Sequence, residues 1–249
     1  LGSRGLGDVY KRQELDGLLR REEDAFPRAA RALAAELRGL LDLKEGDAVL
    51  VAGLGNRAIT PDGIGPKAAD YTLVTRHLVE QVPEQFGAFR PVSALAAGVL
   101  GTTGMESGEL ISAVVEKTRP ACVLAVDALA SRSLRRVGRT VQLSDTGIVP
   151  GSGVGNHRMA LNRETLGVPV IAIGVPTVVD AATLACDLLS EAGREDLDPA
   201  ALSGAGENLI VTPREVDTQV GDLAKVIGYG IDLALQSGLD VADIDLLLS

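Results

Sequence analysis

Ala48-Val49-Leu50-Val51-Ala52-Gly53-Leu54 carries no polar side chain, and its valines favour an extended backbone. A strand at a sheet surface alternates apolar and polar residues; one that is apolar throughout is covered on both faces. Such strands belong to parallel sheets held between helices, and the flanking sequence supplies the helices. Upstream, Ala30, Leu33, Leu37, Leu40 and Leu41 recur at helical spacing with Arg31, Glu36 and Arg38 among them, which predicts an amphipathic helix over 26–43. Gly46 and Asp47 end it. Downstream, 122–126 (CVLAV) and 168–174 (VPVIAIG) repeat the buried-strand pattern, and 140–143 (TVQL) reads as a shorter strand nearer an edge. Helical stretches over 65–81, 107–117, 179–190 and 213–237 lie between the strands, with Ser107 as an N-cap and Pro213 in a first turn. Strand and helix in alternation predict an α/β fold, an open, mostly parallel, twisted sheet with helices on both faces.

The length of 249 residues and the 46% hydrophobic content suit one domain with a sizeable core. Residues 1–13 show neither helical nor strand periodicity and read as a foreign or disordered leader, leaving 14–249 as the domain. The polar run 191–208 reads as a connecting loop. A net charge of −10 argues against nucleic acid as a direct partner, since phosphate binding needs a basic surface. Cys122 and Cys186 sit in apolar surroundings and read as reduced core thiols. Without CxxC or a Cys/His cluster there is no metal signature, and nothing calls for a cofactor. The apolar runs are short and interrupted, so no membrane span is expected, and without a signal peptide the protein is expected in the cytoplasm.

Sites in such sheets form beyond the carboxyl ends of the strands. After the first strand comes Gly53-Leu54-Gly55-Asn56, but Pro61 and further turn-formers delay the helix that a dinucleotide-binding loop would need at once. The alternative is a loop that folds back and presents Asp62 beside the strand ends. Asp62 can equally serve as a cap for the following helix. After the second buried strand comes Asp127, where a carboxylate needs a partner or a proton; a cap for a helix from Leu129 is its other reading. Two carboxylates at the ends of two strands of one sheet can share a water, one as base and the other as acid, in amide hydrolysis. Asp145, in Asp145-Thr146-Gly147, belongs to a single Asp-Thr-Gly copy in an α/β chain, which argues against a pepsin-like lobe pair. The run Gly151-Ser152-Gly153-Val154-Gly155 can aim backbone N–H groups at a peptide carbonyl or form a surface loop. His77, in a predicted helix, and His157, in the Gly-rich run, give little support to a Ser/His or Cys/His nucleophile.

These segments resemble a known family. VAGLGNRAITPDGIGP (51–66), VTRHL (74–78), RPVSA (90–94), GVLGTTGME (98–106), AVDALAS (125–131), LSDTGIVPGSGVGN (143–156), GVPVIAIGVPTVVD (167–180) and NLIVTPREVD (208–217) are similar to the germination proteases of spore-forming bacteria. The resemblance implies an endopeptidase that starts the breakdown of small acid-soluble spore proteins at germination. It further implies an aspartic-type mechanism, a tetramer, a propeptide and a location in the spore core. The implied fold is similar to that of hydrogenase maturation endopeptidases, in which the matching acid binds nickel; a nickel-dependent enzyme of that kind and an inactive homologue that only binds spore proteins are the alternatives. Asp62 and Asp127 occupy the positions of the family's essential aspartates. Asn56, Asp145, Gly151, Ser152 and Gly153 are the expected substrate-binding residues. Val149 stands where the family pattern has His.

Overall fold

Beta-branched and aliphatic residues at 49–54, 122–126 and 170–175 form the centre of a seven-stranded sheet. The computed structural model describes residues 7–8, 12–151, 158–193 and 209–249. In chain order the strands are β1 (Gly7–Asp8), β2 (Val49–Leu54), β3 (Val92–Gly98), β4 (Cys122–Ser131), β5 (Gln142–Ser144), β6 (Val170–Asp180) and β7 (Ile210–Val211). Their spatial order is β1-β5-β6-β4-β2-β3, with β7 also paired to β6. The β3–β2–β4–β6 core is parallel, while β1, β5 and β7 pair antiparallel. The sheet is thus the expected mostly parallel one, with antiparallel additions around β6.

Alternation along each strand sends side chains to two cores. Val49, Val51, Leu124, Val126, Ile171 and Ile173 face one side, under the helices Ala25–Leu40, Ile64–Asp70 and Val216–Leu235. Leu50, Ala52, Leu54, Val123, Ala125 and Val170 face the other, under the helix Ser107–Thr118. Each such fully buried aliphatic side chain contributes on the order of 1.5–3 kcal/mol. This two-sided burial is why the strands read as continuous apolar runs.

Several elements depart from the expected boundaries. The helix expected over 65–81 is broken into Ile64–Asp70, Arg76–Gln81 and Pro83–Phe86. The break comes where the Leu73 N–H donates to Asp232 Oδ1 (2.9 Å) and the Thr75 hydroxyl to the Arg90 carbonyl (2.5 Å), so long-range partners draw the chain off the helical path. Strand β4 continues past Asp127 because its pairing with β6 runs on to Ser131 and Val179. Strand β6 likewise runs to Asp180, so the helix expected from 179 starts at Ala181, where Asp180 Oδ1 accepts the Thr183 N–H at 2.7 Å. The last long helix starts at Val216, because the Thr212 hydroxyl is tied to the Thr177 carbonyl at 3.1 Å. Ser107 is the first helical residue rather than the cap; its hydroxyl donates to the Gly98 carbonyl at 2.8 Å.

Strand β3 and the helix Val241–Leu248 were not expected from the pattern. Within the expected leader, Gly7 and Asp8 pair with β5, and a helix spans Arg12–Leu19; positions 1–6 and 9–11 lie outside the described residues. Most of the expected 191–208 loop lies outside them too. Cys122 is buried and Cys186 half-buried, and neither forms a disulfide. Among the described residues no helix is long and apolar enough to cross a membrane.

Candidate active site

Strand β2 ends at Leu54, and the chain must reverse within a few residues to bring Asp62 back to the sheet. Gly55 makes this possible: its φ is +106°, and a Cβ there would lie 2.1 Å from the Asp62 carbonyl oxygen. The returning chain forms a short 3-10 turn, Thr60–Asp62, and the helix Ile64–Asp70 follows at once. Its second residue, Gly65, rests on the sheet so closely that a Cβ would sit 2.2 Å from the Leu54 carbonyl and 2.4 Å from that of Val126. Asp62 does not cap this helix; the preceding residue is Gly63 and no side chain caps it. Instead Asp62 Oδ2 accepts the main-chain N–H of Asn56 at 2.7 Å. Asn56 Oδ1 accepts the Ala58 N–H at 3.0 Å, which stiffens the same turn. Thr60 Oγ1 anchors the turn to Asp217 at 2.8 Å, on the long helix Val216–Leu235.

Asp127 lies within β4, opposite Gly174 of β6, and no helix begins near Leu129. Its residue is 4% exposed. Oδ1 accepts the Ala128 N–H at 2.9 Å, and the nearby Gly151 amide favours the charged form of the carboxylate. Burial pushes its pKa up to about 7, and the nearby charge of Asp62 pushes in the same direction; the two amides and Arg158 partly oppose this. The pKa of Asp62 is also raised by burial, against the Asn56 amide and the positive charge of Arg158.

Both carboxylates line one cleft of about 400 Å³. The loop after β2 contributes Gly55, Ile59 and Pro61 to its wall, and β4 contributes Ala128, Leu129 and Ala130. Thr177 and Val178 of β6, the strand paired with β4, continue that surface, and Ile210 and Thr212 also line the cleft. Pro150, Gly151 and Arg158 close it above Asp127. The wall is mostly apolar, so charges inside interact through a weakly screening medium. A Cβ on Gly151 would lie 3.4 Å from the Arg158 guanidinium, which places the cation beside the Gly151 turn.

Of the residues singled out from sequence, Asp62, Asp127 and Gly151 meet in this cleft, and Asn56 holds Asp62 from behind. Asp145 is exposed in the turn after β5 and does not line the cleft. Ser152, Gly153 and His157 lie outside the described residues. His77 is exposed on the helix Arg76–Gln81, away from the cleft wall. Among the described residues, no three His, Cys, Asp or Glu side chains come together as a metal-binding group. Arg158 and Thr177 were not found from sequence. A lone Arg after a Gly-rich run and a Thr inside an apolar strand carry no signal without the third dimension.

Fold and cleft together define the class, an α/β protein with a carboxylate pair in a pocket beyond the ends of its central parallel strands. Comparison with known proteins gives the family. The germination protease profile matches residues 7–198. A germination protease of Caldanaerobacter subterraneus subsp. tengcongensis is 45% identical, over 98% of this chain and 82% of its own length. One from Clostridium perfringens is 46% identical over 87% of this chain and 74% of its own, and one from Halalkalibacterium halodurans 40% identical over 93% and 78%. The chain belongs to the germination protease family, and it is an endopeptidase of spore germination.

Proposed function

We propose that Asp62 and Asp127 are the catalytic pair, of aspartic type, and that small acid-soluble spore proteins are the substrates. The observation that carries this reading is the contrast between two carboxylates in one cleft. Asp127, almost fully buried beside a second acid, holds a proton near neutral pH, while the half-buried Asp62 is stabilised as an anion by the Asn56 amide. In the attack step Asp62 takes a proton from a water molecule, whose oxygen bonds to the scissile carbonyl carbon. Asp127 gives its proton to the carbonyl oxygen, which becomes a hydroxyl. On collapse, the proton on Asp62 passes to the amide nitrogen, the C–N bond breaks and the hydroxyl proton returns to Asp127. A carboxyl group and an amine leave, and both aspartates are restored. Arg158 offsets the negative charge that the pair and the forming intermediate share.

The acidic balance of the chain favours a protein substrate over nucleic acid. Assembly as a homotetramer, activation from a zymogen and residence in the cytoplasm of the spore core are part of the same reading. It is tested by incubating the chain with a small acid-soluble spore protein, beside Asp62→Ala and Asp127→Ala variants, and reading intact masses. Discrete fragments from the wild type alone are expected. Equal fragments from either variant would remove that aspartate from the mechanism.

A further inference from the structure

Thr177 sits at an irregularity in the β4–β6 pairing. Leu129 is opposite Pro176 and Ala130 is opposite Val178, so Thr177 is the extra residue of a β-bulge. Bulges beside sites re-aim a side chain that a regular strand would place elsewhere. Thr177 is 3% exposed, it lines the cleft that holds Asp62 and Asp127, and its hydroxyl has no hydrogen-bond partner among the described residues. Its carbonyl, in contrast, accepts the Thr212 hydroxyl, which fixes the backbone. A buried hydroxyl without a partner costs stability, so one retained at the wall of a cleft marks a place where a ligand can supply the partner.

The place of Thr177 along the strand says which part of a substrate it meets. Asp127 is paired with Gly174, and Thr177 lies three residues further on, roughly 10 Å away at the rise of a strand. That is too far for the scissile carbonyl and matches an extended substrate two or three residues from the bond that breaks. Every polypeptide presents main-chain carbonyls there, whatever its side chains. The neighbouring strand of the same wall fits an extended chain as well. Strand β2 covers β4 only as far as Val126, whereas β4 runs on to Ser131, so beyond Val126 that edge of β4 is unpaired with any described strand.

We propose that Thr177 is a substrate-binding residue, its hydroxyl donating to a main-chain carbonyl two or three residues from the scissile bond of an extended polypeptide. This rests on the cleft being the site of hydrolysis. A contact remote from the reacting atoms is made equally in the ground state and the transition state, so it acts on KM and leaves kcat unchanged.

The experiment compares wild type, Thr177→Val and Thr177→Ser in steady-state cleavage of a small acid-soluble spore protein, with Tm measured on each. Thr177→Val keeps the shape and removes the hydroxyl; it is expected to raise KM about fivefold to tenfold, with kcat within about twofold and Tm equal or higher. Thr177→Ser is expected to keep KM near wild type. A purely structural threonine would instead lower Tm with valine and leave KM unmoved, and that result would overturn the inference while leaving the aspartate pair intact. A fall in kcat at constant KM would overturn it too, by placing the hydroxyl at the reacting atoms. Absence of cleavage by the wild type would overturn the reading of the cleft, and this inference with it.

Discussion

The Asn56 N–H holds Asp62 Oδ2 at 2.7 Å, so the orientation of one carboxylate is set by the main chain six residues before it. The bond exists because Gly55 turns the chain through a conformation that other residues adopt only at a cost.

Gly55→Ala should therefore damage the site more than the fold. Its Cβ would collide with the Asp62 carbonyl oxygen, and relief requires the Thr60–Asp62 turn to move. The expected loss in kcat/KM is about 100-fold or more, against a stability loss of about 1–3 kcal/mol. Cleavage kinetics beside urea unfolding measure the two separately.

Activity should fall as pH rises through about 7. The Asp127 proton is held by burial and by the charge of Asp62, and above that value it is lost, leaving no acid for the carbonyl oxygen. A kcat profile between pH 5 and pH 9, taken on a substrate whose own groups do not titrate there, is the measurement. A flat profile across this interval would contradict the assignment of Asp127 as the acid.

Arg158→Gln should move that descending limb to higher pH. The guanidinium lowers the pKa of both carboxylates, so without it both rise and Asp127 keeps its proton longer. At neutral pH kcat should fall about tenfold or more, because the charge of the intermediate loses its counterpart. A limb that stays in place would show that Arg158 is too distant or too hydrated to act on the pair.

Asp232, far along the chain from either catalytic candidate, should make stability depend on pH. Burial raises its pKa to about 8; Oδ1 accepts the Leu73 N–H and Oδ2 has no partner among the described residues. The folded state thus binds this proton more tightly than the unfolded chain does. The resulting stability is complete below the ordinary carboxylate range and is lost as pH rises through about 8. Asp232→Asn cannot titrate, so its Tm relative to wild type should increase from pH 6 to pH 9. A relative shift of about 2–4 °C corresponds to roughly 1 kcal/mol in a chain of this size. Parallel Tm curves would mean that Asp232 is already ionised in the folded protein across this interval.

The fold class was legible because burial on both faces of β2, β4 and β6 leaves an unbroken apolar run, which no solvent-facing strand shows. Strand β3 escaped because it is an edge strand of small residues, Ala94, Ala96 and Ala97, whose pattern favours no period. The extension of β4 past Asp127 was invisible for a different reason: pairing with β6, distant in sequence, keeps Ala128–Ser131 extended. Asp62 could be read from its place after a strand, and Asp127 from a carboxylate that interrupts an apolar run, although its strand continues beyond it. Arg158 and Thr177 could not, since each matters only through neighbours distant in sequence.

The helices Ala25–Leu40 and Val216–Leu235 lie on one face of the sheet and share its core, although the whole of 41–215 separates them. The second also secures the Asp62 turn through Asp217 and Thr60. During synthesis strands β2 to β6 and both aspartates emerge from the ribosome well before that helix does. The core over that face and the anchor of the turn wait for it, so a nascent chain carries both acids without the complete scaffold that holds them. On the proposed role of the pair, cleavage waits for that last long helix.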